Sequence, residues 1–109
     1  MKLPNRERAV IAQEKLTDYL LNVAHKRGGA KARLLERLGY TVDRCQQLAD
    51  DIRAELGTEI DVERTTAYGM RYEIRMTLRT PIGQPLTVRT VWQFDDSTDF
   101  PRLITLLPD

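Results

Sequence analysis

Polar and apolar residues alternate strictly from Met70 to Leu78, with Met70, Tyr72, Ile74, Met76 and Leu78 separated by Arg71, Glu73, Arg75 and Thr77. A period of two is that of a strand with one buried and one wet face. Thr80 to Pro85 supplies turn residues. Leu86, Val88, Thr90, Trp92 and Phe94 then define one face of a second strand, and Thr87, Arg89, Val91 and Gln93 the other. The two segments predict an antiparallel hairpin, with Tyr72 and Trp92 in the core. An acidic loop follows from Asp95 to Phe100, and Pro101 opens a last strand reaching about Leu107. Ile60 and Val62, within Thr58 to Thr66, fit a further short strand.

The first half has a helical period. Between Gln13 and Val23, Leu16, Tyr19, Leu20 and Val23 fall at i, i+3, i+4 and i+7, one face of a helix. After Arg27-Gly28-Gly29, a second helix runs from about Ala30 to Leu38 with Leu34, Leu35 and Leu38 as its stripe, and Gly39 stops it. Thr41 is placed to cap a third helix, whose stripe is Val42, Cys45, Leu48, Ala49, Ile52 and Leu56, with Gly57 as its stop. Cys45 on that stripe reads as core packing. The fold expected is α+β: two to three N-terminal helices packed on a three- to four-stranded antiparallel sheet, forming one domain over residues 1–109.

Composition narrows the function classes. The chain has 109 residues, one Cys, and 17 Lys plus Arg against 16 Asp plus Glu. That length is enough to bury a core without disulfide or metal staples. No apolar run approaches a bilayer span and no signal-peptide pattern opens the chain, so the expectation is a cytoplasmic protein with no membrane partner. A single Cys excludes an internal disulfide and a Cys-rich zinc site. Neither Asp50-Asp51 nor Asp95-Asp96 has a His nearby, and the glycine-loop, Ser-elbow and HExxH signatures are absent. The expectation is no cofactor and no metal.

The near-zero net charge hides segregation. Ala24 to Arg37 carries five cations against Glu36 alone, a net +4, whereas Leu38 to Glu63 nets −5. The only histidine, His25, lies with Lys26, Arg27, Gly28 and Gly29 directly before a helix whose first turns carry Lys31 and Arg33. Helix N-termini attract anions through free N–H groups and the dipole, and cations there oppose that dipole. Such a block makes best sense around an anion, with His25 as a proton shuttle. The second candidate is the wet hairpin face, where Arg71, Arg75, Arg79 and Arg89 face a single Glu73; it can track phosphates. Tyr68 precedes it and offers stacking or a phenolic proton.

Lys2-Leu3-Pro4-Asn5, the helix Lys15-Leu16 with Tyr19-Leu20-Leu21-Asn22, His25 with Gly28, Lys31 and Ala32, Leu38-Gly39-Tyr40, Tyr68-Gly69-Met70-Arg71-Tyr72, Val88-Arg89-Thr90-Val91-Trp92 and Pro101-Arg102-Leu103-Ile104-Thr105 occur in that order. This resembles a bacterial domain-of-unknown-function family with the pattern KLPN, KLxxYLLN, HPxGxxKA, LGY, YGxRY, VRTxW and PRLxT. Lys26 stands where the family usually has Pro, and Thr80-Pro81-Ile82-Gly83 replaces its usual GPNG turn. Members occur free-standing, often beside a small SH3-like protein that would serve as antitoxin, and as C-terminal tips of polymorphic toxins. The fold also looks like that of the barnase, colicin-type and RelE-type ribonucleases, which cleave RNA without metal.

The resemblance therefore implies a toxin-type, metal-independent endoribonuclease acting on RNA and held by a small antitoxin or immunity protein. Carried onto this sequence, it implies His25 as general base or acid, with Lys31 and Arg71 neutralising the phosphate. Tyr68, or Tyr72, would supply stacking or a proton. Arg33, Arg75, Arg89, Thr90 and Arg102 would contact RNA phosphates, with Thr105 as a further donor. The alternative is a non-catalytic module binding protein or nucleic acid. The sequence does not set the oligomeric state.

Overall fold

The alternating segments form one antiparallel sheet in a computed structural model that describes all 109 residues. Its strands are β1 (Val62–Thr66), β2 (Gly69–Arg79), β3 (Pro85–Asp95) and β4 (Arg102–Pro108), in spatial order β1-β2-β3-β4. The long hairpin pairs Tyr72 with Trp92, Ile74 with Thr90 and Met76 with Val88. These side chains are buried and carry the core. Trp92 is fully buried, and its indole N–H donates to Thr90 Oγ1 at 2.9 Å. Thr90 in turn donates to the Ile74 carbonyl, so the polar atoms beneath the tryptophan are satisfied.

β4 departs from simple alternation. Trp92 pairs with Leu103 but Val91 pairs with Thr105, so Ile104 is an extra residue in a bulge. The bulge lets Leu103 and Leu106, three apart, both enter the core. Thr105, partner of Val91, is thereby carried to the other face. Near the start of β4 the backbone of Val10 covers the outer edge. It donates to the Pro101 carbonyl and accepts from the Leu103 N–H at 2.8 and 2.9 Å.

The helices are shorter than their patterns. Helical backbone begins at Gln13, but Lys15–Leu20 is a π-helical turn, closed by the Leu21 N–H donating to the Leu16 carbonyl at 2.8 Å. The wider turn rotates later residues. Leu16, Leu20 and Leu21 are buried, whereas Val23, expected on the apolar face, is exposed. The helices α1 (Gly29–Arg37) and α2 (Cys45–Ala54) bury Ala32 and Leu35, and Leu48, Ala49 and Ile52. Thr41 precedes a short 3-10 turn at Val42–Arg44 and makes no side-chain cap, which leaves Val42 half exposed. The Gly57 stop is not used either; α2 ends at Ala54 in successive turns, with the Leu56 N–H on the Arg53 carbonyl. Cys45 packs against the core. No helix is long and apolar enough to cross a membrane.

Gly39 does stop α1. Its φ of 101° lies in the left-handed region, and a Cβ there would meet the Pro81 Cβ at 2.7 Å. The end of α1 thus packs directly on the β2–β3 turn. Replacing Gly39 with Ala is expected to lower the urea midpoint at unchanged m-value, with a loss of at least about 1 kcal/mol from the backbone conformation alone. A loss under about 0.3 kcal/mol would show that neither the left-handed backbone nor the contact with Pro81 penalises a Cβ at this position.

Candidate functional site

Three polar side chains from separate elements meet beside β4. The π-helical turn carries Tyr19, α1 carries Lys31, and the residue after the bulge is Thr105. The Lys31 ammonium donates to Tyr19 Oη at 3.0 Å and to Thr105 Oγ1 at 3.1 Å, and the two hydroxyls are 3.2 Å apart. The Lys31 Nζ is also 4.7 Å from the centre of the Tyr19 ring, and the Lys15 Nζ is 5.4 Å away. The hydrogen bond from Lys31, then that involving Thr105, lowers the Tyr19 pKa from its ordinary value of 10.0 against the opposing effect of burial.

His25 completes the cluster. Its ring meets Tyr19 edge-on at 5.0 Å between centroids. The loop that holds it is folded by its own side chains: Asn22 Oδ1 accepts from the Ala24 N–H, and His25 Nδ1 accepts from the Arg27 and Gly28 N–H groups at 3.1 and 3.0 Å. With Nδ1 occupied by these two backbone donors, Nε2 is the ring nitrogen left free for another partner. Gly29, next in the chain, approaches the Val23 carbonyl so closely that a Cβ would lie 2.7 Å from its oxygen.

The remaining candidates lie apart from this cluster. Arg71 donates to the Gln93 side chain at 3.1 Å and has no acidic partner. Gln93 and Val91, expected on a wet face, are buried. Arg75 pairs with Asp109, and Arg89 with Asp61 at 2.6 Å, Glu73 at 3.4 Å and Asp109 at 3.8 Å. Arg102 grips both Asp95 oxygens. Two of the four arginines of the wet sheet face, Arg75 and Arg89, are thus neutralised from within the chain. Thr90 lies in the core with both hydrogen-bond roles used, out of reach of any phosphate in this conformation. Tyr68 is 75% exposed at the β1–β2 turn, and Tyr72 is buried. Arg33 lies exposed on α1 with no ion-pair partner.

The sequence pattern gave Tyr19 an apolar role, because its spacing matches Leu16 and Leu20. The signal that marks it is different in kind. Tyr19, His25, Lys31 and Thr105 are all fixed letters of the pattern set out above, scattered over three of its blocks. The geometry shows why such distant letters belong together.

These features define an α+β domain with helices over one face of a four-stranded antiparallel sheet and a polar cluster where they meet its last strand. The model of the family described as Domain of unknown function (DUF6883) matches residues 2–109, and the chain belongs to that family. No curated protein matches it. Among solved structures, the chain is similar to one in the "Contact-dependent growth inhibition toxin - immunity protein complex from Klebsiella pneumoniae 342". The TM-score is 0.76 at 21% identity, covering 95% of this chain and 96% of that one. The likeness establishes a shared fold.

The cluster can be tested by phenol titration at 295 nm. One of the four tyrosines should ionise below pH 10, and Lys31→Ala should move that ionisation upward. Tyr40, held by burial and by Asp51, and Tyr72, held chiefly by burial, should ionise late. Between the lowered folded pKa and 10.0 the folded state holds fewer protons on Tyr19 than the unfolded one. Its contribution to stability therefore rises with pH across that window and is lost as pH falls through the folded pKa. An unchanged first ionisation in Lys31→Ala would refute the coupling.

Proposed function

We propose that this chain is a toxin-type domain that cleaves RNA without a metal ion, and that a small immunity protein restrains it. The observation that carries the reading is the Lys31 ammonium placed 3.0 Å from an acidified phenol and 3.1 Å from a hydroxyl. The fold shared with a chain of a toxin–immunity complex supports the setting. Transesterification needs a base for the 2′-OH, positive charge on the phosphorane and a proton for the 5′ oxygen.

In this reading the Tyr19 phenolate takes the proton from the 2′-OH, and the 2′ oxygen forms its bond to phosphorus. As the bond from phosphorus to the 5′ oxygen breaks, Lys31 gives that oxygen a proton. The proton now on Tyr19 Oη passes to the Lys31 amine along their existing hydrogen bond, restoring both groups. The Thr105 hydroxyl holds the phenol in place. The His25 Nε2–H donates a hydrogen bond to a non-bridging phosphate oxygen. Arg71 and Tyr68 sit nearer the other end of the sheet face, Arg71 level with Arg102 on the row through Gln93. That row is three residues from Thr105 along β4, about 10 Å, where neighbouring nucleotides would reach.

The purified chain is expected to degrade total RNA or tRNA at neutral to mildly alkaline pH in the presence of EDTA. Lys31→Ala and Tyr19→Phe should each lower the rate by about 10²–10⁴-fold while leaving the far-UV spectrum and the melting transition in place. RNA left intact by an excess of folded protein would end the ribonuclease reading and favour a binding module. Cleavage retained by both variants would move the chemistry away from this cluster.

A further inference from the structure

Fewer than half of the arginines are held in ion pairs, and the longest unpaired run of cations is at α1. Arg8, Arg64, Arg75, Arg89 and Arg102 each have a carboxylate partner within 4.0 Å. No ion pair reaches Lys26, Arg27, Arg33 or Arg37, which precede or lie on α1, and all four are exposed. The buried side of α1 is Gly29, Ala32 and Leu35, so Arg33 and Arg37 share the exposed side with Ala30. Arg33 and Arg37 are four residues apart, a spacing at which like charges repel and weaken a helix. The first turn contains no acid, while Lys31 and Arg33 near the N-terminal end oppose the dipole. Glu36 is the only acid of the segment and pairs with none of these cations. Folding thus bears several small electrostatic penalties that no contact within the chain offsets.

We infer that the outward side of α1, with Arg33 and Arg37 at its centre and Lys26 and Arg27 at its start, is a track for the phosphates of a single-stranded RNA that flank the bond being cut. This rests on the ribonuclease reading above and adds to it the substrate class: an RNA chain of several nucleotides, engaged through its backbone. Position favours this ligand, because Lys31 projects from the same helix into the Tyr19 and Thr105 cluster. Lys31 leaves the helix on a different side from Arg33 and Arg37, so a strand lying on those arginines, about 10 Å of helix, would reach the cluster around the start of α1, past Lys26 and Arg27. On the sheet face, Arg75 and Arg89 are already held by Asp61, Glu73 and Asp109, and Arg71 is bonded to Gln93.

The test is fluorescence anisotropy of a labelled 20-nucleotide single-stranded RNA, with Tyr19→Phe protein to suppress turnover, across a series of salt concentrations. Each phosphate contact contributes about 0.7 to the slope of log K against log salt. Adding Arg33→Gln and Arg37→Gln is expected to flatten the slope by about 1.4. Adding Lys2→Gln and Arg44→Gln instead, which removes the same charge elsewhere, should leave it unchanged. The inference is overturned if the Arg33 and Arg37 pair keeps the parent slope, if the control pair flattens it equally, or if the parent binds no RNA at low salt. Failure of the two readings is distinguishable. RNA cleaved by the unsubstituted chain with no slope change removes the track and leaves the cleavage site standing. A slope change without cleavage keeps the track and removes the ribonuclease.

Discussion

Between Lys15 and Leu20 the backbone is wound to a hydrogen bond that runs five residues back, from Leu21 to Leu16. The extra residue per turn has two effects that a regular helix would not combine. Leu16, Leu20 and Leu21 all enter the core beside Leu103 and Leu106, and the Tyr19 hydroxyl is left to meet Thr105. The bulge at Ile104 does the matching work on β4, since it keeps Leu103 and Leu106 inward while turning Thr105 out. Two local irregularities, each absorbing one residue, thus align a phenol with a hydroxyl from distant parts of the chain. Lys31 bridges them, and so ties α1 to both. π-turns and bulges recur where a side chain has to be re-aimed.

Electrostatics divides the molecule in a different way from the sequence blocks. The acidic stretch from Leu38 to Glu63 contributes Asp61 to Arg89, and the last residue, Asp109, serves both Arg75 and Arg89. These pairs are partly exposed and individually stabilise little. Their consequence is on the field: they cancel the charge of Arg75 and Arg89 over the sheet and none of that on α1. Glu73, at the centre of the face, is shared by Arg64 and Arg89.

How much of this was legible in the sequence depends on the range of the physics involved. The long hairpin follows from strict alternation, which one strand partner is enough to satisfy, and Tyr72 and Trp92 fall in the core as that alternation requires. The Gly39 stop is equally local. Val23 and Val42 were misplaced because a π-turn and a 3-10 turn change the period without changing the composition. The pairing of Arg89 on the sheet face was illegible for a further reason. Asp61 and Asp109 lie 28 and 20 residues from Arg89, and only register brings them close. Burial of Gln93 on a face read as wet has the same origin, since Arg71 covers it from the neighbouring strand.

The identity of the cluster turned on distinguishing a polar tip from an apolar body. Tyrosine satisfies an apolar stripe with its ring and still demands a partner for its hydroxyl. At Tyr40 that demand is met by Asp51 at 2.6 Å, an acceptor, and burial together with this carboxylate holds the phenol protonated. At Tyr19 the partner is an ammonium donor, and the phenol is driven the other way. Both tyrosines pack against the same core. What separates them is the sign of the neighbouring charge. Tyr40, locked as a donor to a carboxylate, has a structural part. Tyr19, an acceptor held beside a cation with its ring edge-on to His25, is instead favoured in its ionised form.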